Sequence, residues 1–135
     1  MKDVILSKVN TTTFLLNLGA TVFFLALAIR SGKMGVRKQH FYFVALTFLS
    51  LMGSVWQAEL YGKGFVFNQT RLIVHLCFAF GALLSFPGVV FSGRMLMHKA
   101  TWRKAHKRWI GIFVSLVAFS VLTAMWMFVD AQSKT

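Results

Sequence analysis

His98-Lys-Ala-Thr-Trp-Arg-Lys-Ala-His-Lys-Arg-Trp109 is the stretch whose reading decides the fold. It holds two of the four histidines and five of the fifteen Lys and Arg residues, and it lies between two long apolar runs. A compact basic segment in that position reads as a loop between two membrane helices, with His106 at the threshold of the second one.

Outside that stretch the chain is almost continuously apolar. Of its 135 residues 57% are hydrophobic and 13% charged, with a mean hydropathy of +0.67. So few charges cannot cover the surface of a soluble domain, and a bilayer is the matching solvent. Four apolar spans follow, at about 12–29, 40–61, 71–96 and 110–129. Residues 1–11 lack the cationic start, short apolar run and small-residue site of a cleaved signal peptide. Irregular backbone and open sheet edges are not tolerated in lipid, so an all-α fold is expected. The expectation is an all-α integral membrane protein of one domain, 1–135, its four transmembrane helices forming an up-down antiparallel bundle.

Charge distribution predicts orientation. The first and third loops carry ten basic residues (Arg30, Lys33, Arg37, Lys38, Arg94, Lys99, Arg103, Lys104, Lys107 and Arg108), against five elsewhere. The positive-inside rule puts those loops in the cytoplasm and both termini on the non-cytoplasmic side, as in a bacterial inner membrane. A net charge of +12 is thereby explained by topology, and a nucleic-acid partner is not expected. The partner expected of the basic loops is the lipid bilayer itself.

Catalytic patterns are sparse. The single cysteine, Cys77, excludes an intramolecular disulfide and a Cys-only metal site. There is no Cys-x-x-Cys, His-x-His, His-Glu-x-x-His or Gly-rich phosphate loop, and three acids leave little for general acid–base work. A stand-alone enzyme is not the expectation. Glu59 reads as a solvated residue at the outer interface, and the four tryptophans as an interfacial belt. Asn10-Thr-Thr and Asn68-Gln-Thr match the glycosylation pattern but sit where a helix needs an N-cap. Pro87 predicts a kink in the third helix, with Ser85 taking up a freed backbone group.

Polar residues within membrane helices face other helices rather than lipid. His40, Thr47, Ser54 and Tyr61 recur every seven residues, with Ser50 and Gln57 between them, and make one stripe along the second helix. Asn10, Thr13, Asn17 and Thr21 make a stripe on the first; His75, Ala82, Ser85 and Ser92 on the third; His106, Phe113 and Ser120 on the fourth, with Thr123 nearby. Gly81 and Gly88 would permit close helix contact. The histidines divide into an inner group, His40, His98 and His106, and one outer member, His75, about 30 Å away along the axis. Gln57, Glu59, Met125 and Met127 are candidate neighbours of His75.

Two imidazoles at one depth on two helices are how membrane bundles hold a b-type haem, with Arg and Lys at its propionates. His40 and His106 fit that use as iron ligands, with Arg37, Lys38, Lys107 and Arg108 adjacent; His75 is a further candidate for cofactor binding. The competing reading is that histidines beside basic residues at helix ends are interfacial anchors, which suits His98 best.

Three local matches resemble the small four-helix membrane proteins typified by CtaM and YozB, a family linked to maturation of haem–copper oxidases. They are Arg37-Lys38-Gln39-His40, Val74-His75-Leu76 and Ala105-His106-Lys107-Arg108-Trp109. Ser120-Val-Leu-Thr123-Ala resembles that family's small-residue run. The family commonly has another histidine at the outer end of the second helix; here Trp56-Gln57-Ala58-Glu59-Leu60-Tyr61 has none. The run from His106 to Gly111 also resembles the His-Arg-x-x-Gly element of dihaem transmembrane cytochromes b, its glycine one place late. The resemblance implies a respiratory-complex maturation protein, with haem b between the second and fourth helices and a respiratory oxidase as partner. A b-type cytochrome subunit in membrane electron transfer and a cofactor-free accessory subunit of a larger membrane complex remain alternatives.

Overall fold

A computed structural model describes residues 11–133, so Asn10 of the expected cap and stripe lies outside the described residues. Four helices long and apolar enough to cross a membrane make up most of it: α1 (Thr11–Lys33), α2 (Arg37–Gly62), α3 (Gln69–His98) and α4 (Arg103–Phe128). At ~1.5 Å per residue each exceeds the ~30 Å of a hydrocarbon core. Two short extended segments, β1 (Phe65–Val66) and β2 (Gln132–Ser133), lie outside the helices. The chain divides into two compact units, one ending at Phe65 and the other beginning at Val66, each built on one helical hairpin.

In the first unit α1 packs antiparallel on α2. Phe14 stacks with Tyr61, Asn17 meets Ser50 and Gln57, and Ala28 meets His40, so contacts climb one helix as they descend the other. The turn between them is shorter than the basic loop expected at 30–39. Helix α1 runs on through Arg30-Ser-Gly-Lys33 because nothing there breaks it, and only Gly35, at φ 72°, reverses the chain. Val36 N donates to Ser31 O at 3.1 Å and Gly35 N to Gly32 O at 3.3 Å, the bond pair of a Schellman cap.

The second unit repeats the plan with α3 and α4. Phe78 stacks on Phe119, Phe86 packs on Phe113, and Trp109 lies over Gly88. Asn68 caps α3, its Oδ1 accepting from Thr70 N at 3.0 Å and Arg71 N at 3.4 Å, as its sequence position predicted. Helix α3 continues through Pro87 without a break, and Ser85 Oγ donates to Ala82 O at 2.8 Å. The carbonyl that loses its donor to proline is that of Leu83, so Ser85 does not take the expected role.

The basic stretch is mostly helical. Arg103 to Trp109 form the first two turns of α4, and the true connection is Lys99 to Trp102, with a 3₁₀ turn over Ala100–Trp102. Charge does not end a helix, and none of those seven residues breaks one. His106 is therefore the fourth residue of α4 rather than its threshold, as His40 is the fourth residue of α2.

Burial is inverted relative to a water-soluble protein. Among the described residues the buried set is small and largely polar: Thr21, Ser31, Thr47, Ser54, Ser85 and Ser92, with Ala28, Ala82, Phe113 and Met127. Large apolar side chains face outward, Leu84 at 78% exposure and Leu16 at 69%. Small residues let helices approach closely, and lipid-facing leucines need no protein cover. The expected stripes agree with this pattern, except that Thr13 is exposed.

Candidate functional site

In the first unit, His40 is half-buried on α2 and its Nδ1 lies 2.8 Å from the carbonyl of Ala28 on α1. A carbonyl oxygen only accepts, so in the neutral ring Nδ1 carries the proton and Nε2 the lone pair. Ser31 Oγ donates to the same carbonyl at 3.0 Å. The ring closes on Gly32, where a Cβ would stand 3.0 Å from Nδ1.

The second unit builds a matching arrangement. His106 Nδ1 lies 3.0 Å from Ser92 Oγ, and Ser92, fully buried, sends its own hydroxyl proton to Val89 O at 3.1 Å. With that proton committed, the serine oxygen accepts from His106 Nδ1–H, and the ring takes the tautomer of His40. It rests against Gly93, where a Cβ would stand 3.0 Å from Cε1.

His75 is held from α4, by a backbone carbonyl and a hydroxyl. Its Nδ1 lies 3.0 Å from Ser120 O and 3.4 Å from Thr123 Oγ1. Gln57 is engaged within the first unit by Asn17, at 3.2 Å, and exposed Glu59 pairs with Lys63 at 3.5 Å. Thus three histidines have Nδ1 oriented by an acceptor, the condition in which imidazole Nε2 serves as a metal or haem ligand. His98, the last residue of α3, is exposed, in keeping with an anchor. Arg37, Lys38, Lys107 and Arg108 are exposed as well, available to anionic groups. His40 belongs to the first unit and His106 to the second.

Among the described residues no three His, Cys, Asp or Glu side chains gather as a multidentate protein metal site would require, but a haem needs only one or two axial imidazoles. Cys77 is a free, exposed thiol on α3.

Of the ring-orienting residues, Ser92 belongs to the inward stripe read from the sequence, whereas Ala28, Ser31, Gly32 and Gly93 were not singled out. Their signal was present. A Ser-Gly-basic triplet, Ser31-Gly32-Lys33 and Ser92-Gly93-Arg94, precedes an Arg-Lys-x-His quartet in both units. Different loop lengths disguise the match, since Gly32 precedes His40 by eight residues and Gly93 precedes His106 by thirteen.

Fold and site together define a membrane-type helical protein of two hairpins, each presenting an oriented imidazole near its basic turn. No protein-family model matches the chain, and no curated protein or solved structure matches it.

Proposed function

We propose that this is a small integral membrane protein of respiratory-complex maturation that handles b-type haem through His40 and His106. The observation that carries the reading is the Nδ1 hydrogen bond of His40 to Ala28 O at 2.8 Å, which leaves on Nε2 the lone pair that an iron ligand needs. His106, oriented through Ser92, supports it from the second hairpin. Bound haem would contribute the one-electron chemistry of its iron. The chain's own residues supply imidazole ligands, exclude water with apolar helices, and offer Arg37, Lys38, Lys107 and Arg108 to the propionates. The expected partner is a respiratory oxidase. The basic turns lie in the cytoplasm of a bacterial inner membrane in this reading, following the positive-inside rule.

A reduced-minus-oxidised absorption spectrum of the purified protein tests the proposal. A b-type band that disappears in both His40→Ala and His106→Ala supports it. A colourless protein that binds no added haemin overturns it and leaves the cofactor-free accessory role. A haem-bearing protein whose deletion spares oxidase assembly but stops quinone-linked electron flow identifies the cytochrome-subunit reading instead.

A further inference from the structure

We infer that the chain is a tandem of two copies of one helical-hairpin unit, and that Ser31-Gly32 and Ser92-Gly93 are equivalent positioning elements for one ligand imidazole in each copy. The ligand's identity rests on the haem reading above. The duplication and the positioning role do not.

Two independent observations carry this. The first is sequence register. Arg37-Lys38-x-His40 is followed fourteen residues after its histidine by Ser54-Val55-x-x-Ala58, and Arg103-Lys104-x-His106 is followed at the same distance by Ser120-Val121-x-x-Ala124. Position 43 against 109 is Phe against Trp, and 44 against 110 is Val against Ile. Both quartets begin their helix, so the histidines fall on the same turn.

The second is geometry. In each unit a serine near the end of the first helix, Ser31 on the last turn of α1 and Ser92 one turn earlier on α3, donates to the carbonyl three residues before it: Ser31 to Ala28 O at 3.0 Å, Ser92 to Val89 O at 3.1 Å. The histidine Nδ1 joins that pair, at the carbonyl in one unit and at the hydroxyl in the other. The imidazole rests against the following glycine in both, where a Cβ would stand 3.0 Å from a ring atom, Nδ1 of His40 or Cε1 of His106. One histidine at a helix start beside a small residue is unremarkable. The same serine, glycine and histidine in two separate units, with Nδ1 meeting one member of the serine–carbonyl pair in each, is what a duplicated station requires.

The register also reassigns charge. The counterparts of Arg37 and Lys38 are Arg103 and Lys104, one turn before His106, rather than Lys107 and Arg108 after it. Farther along, the copies differ. Thr21 and Asn17 serve the Ser54 side of the first hairpin, whereas His75 serves the Ser120 side of the second. The two copies therefore share the Ser-Gly/His station and the Ser-Val-x-x-Ala run, and they have diverged in the side chains that the opposite helix brings to that run.

The test needs no haem for its first arm. Protein labelled with ¹⁵N-histidine, in detergent micelles at a pH where the rings are neutral, is examined by two-bond ¹⁵N–¹H correlation, with signals assigned by single His→Gln substitutions. His40 and His106 are both expected with the proton on Nδ1. Ser92→Ala, which removes only a hydroxyl, is expected to release that tautomer at His106 and leave His40 unmoved. Gly32→Ala is expected to shift the His40 signals alone, and Gly93→Ala those of His106 alone. A wild-type His40 or His106 protonated on Nε2, or a Ser92→Ala spectrum identical to wild type, overturns the inference.

The second arm titrates haemin into each folded variant and reads the Soret band. Gly32→Ala and Gly93→Ala should each weaken binding about ten-fold, the scale for losing a ring-orienting partner. Weakening in one variant only, with the other at wild-type affinity, overturns the equivalence of the copies. Failure of the wild type to bind haemin at all overturns the haem reading, and the tautomer arm then decides the duplication by itself.

Discussion

Trp109 of α4 lies directly over Gly88 of α3, so close that a Cβ at position 88 would stand 2.5 Å from a ring carbon. An indole is rigid, and no flexible end can swing aside to admit the extra methyl. Gly88→Ala is therefore expected to destabilise the second hairpin by about 1–3 kcal/mol, the usual scale of overpacking. Gly111→Ala has open space at its Cβ and serves as the control on α4. Thermal unfolding in micelles, followed by circular dichroism, compares the two. Equal melting temperatures would mean that Trp109 does not hold this position.

Asn17 is the centre of a polar network in the first hairpin. It donates to Gln57 Oε1 at 3.2 Å, accepts from Ser50 Oγ at 3.0 Å, and through Ser50 reaches Thr21 at 2.8 Å. Such bonds between membrane helices contribute modestly, because the separated helices also find partners in their own backbones. A double-mutant cycle with Asn17→Ala and Gln57→Ala is expected to return a coupling energy of about 0.6–1.7 kcal/mol. A coupling indistinguishable from zero would remove this pair as a clamp.

The extent to which fold and site were legible follows from what each depends on. The inward stripe of α2 could be read because helical periodicity alone creates it, and Thr47 and Ser54 are indeed buried. The start of α4 could not, because the sequence expectation treated Arg103 to Trp109 as loop by charge, while helix formation depends on backbone freedom and capping. Gly32 and Gly35 look alike in the sequence, yet one is helical and takes an imidazole while the other turns the chain at φ 72°. The partner of His75 was hidden for a different reason: it is a backbone carbonyl, and every residue has one.

Orientation in the membrane has its own test. In a Cys77→Ser background, single cysteines at Lys63 and Lys99 sit at exposed positions outside the helical spans. A membrane-impermeant maleimide applied to intact cells should label Lys63→Cys at once and Lys99→Cys only after permeabilisation, as the distribution of basic residues predicts. The reverse pattern would invert the topology. Cys77 itself, exposed on α3 within an apolar span, should resist the reagent in membranes and react in denaturant.

Arg71 joins the start of α3 to the far end of α4 in three ways. Its guanidinium pairs with Asp130, donates to Trp126 O at 3.1 Å, and lies 4.9 Å from the centre of the Trp126 ring. These contacts need not matter equally. Asp130 is 58% exposed, and ion pairs with solvated partners contribute only ~0–1 kcal/mol, less in salt. The cation–π contact adds about 0.5–1 kcal/mol at such a surface, and the arginine stem covers apolar area as well. Asp130→Asn should therefore lower stability slightly, and only at low ionic strength. Arg71→Ala should lower it more, by about 1–2 kcal/mol, with little dependence on salt because the aromatic and carbonyl contacts go with it. Unfolding of both variants at low and high salt separates the contributions. If Asp130→Asn matched Arg71→Ala under both conditions, the ion pair would carry the junction and the tryptophan would be incidental.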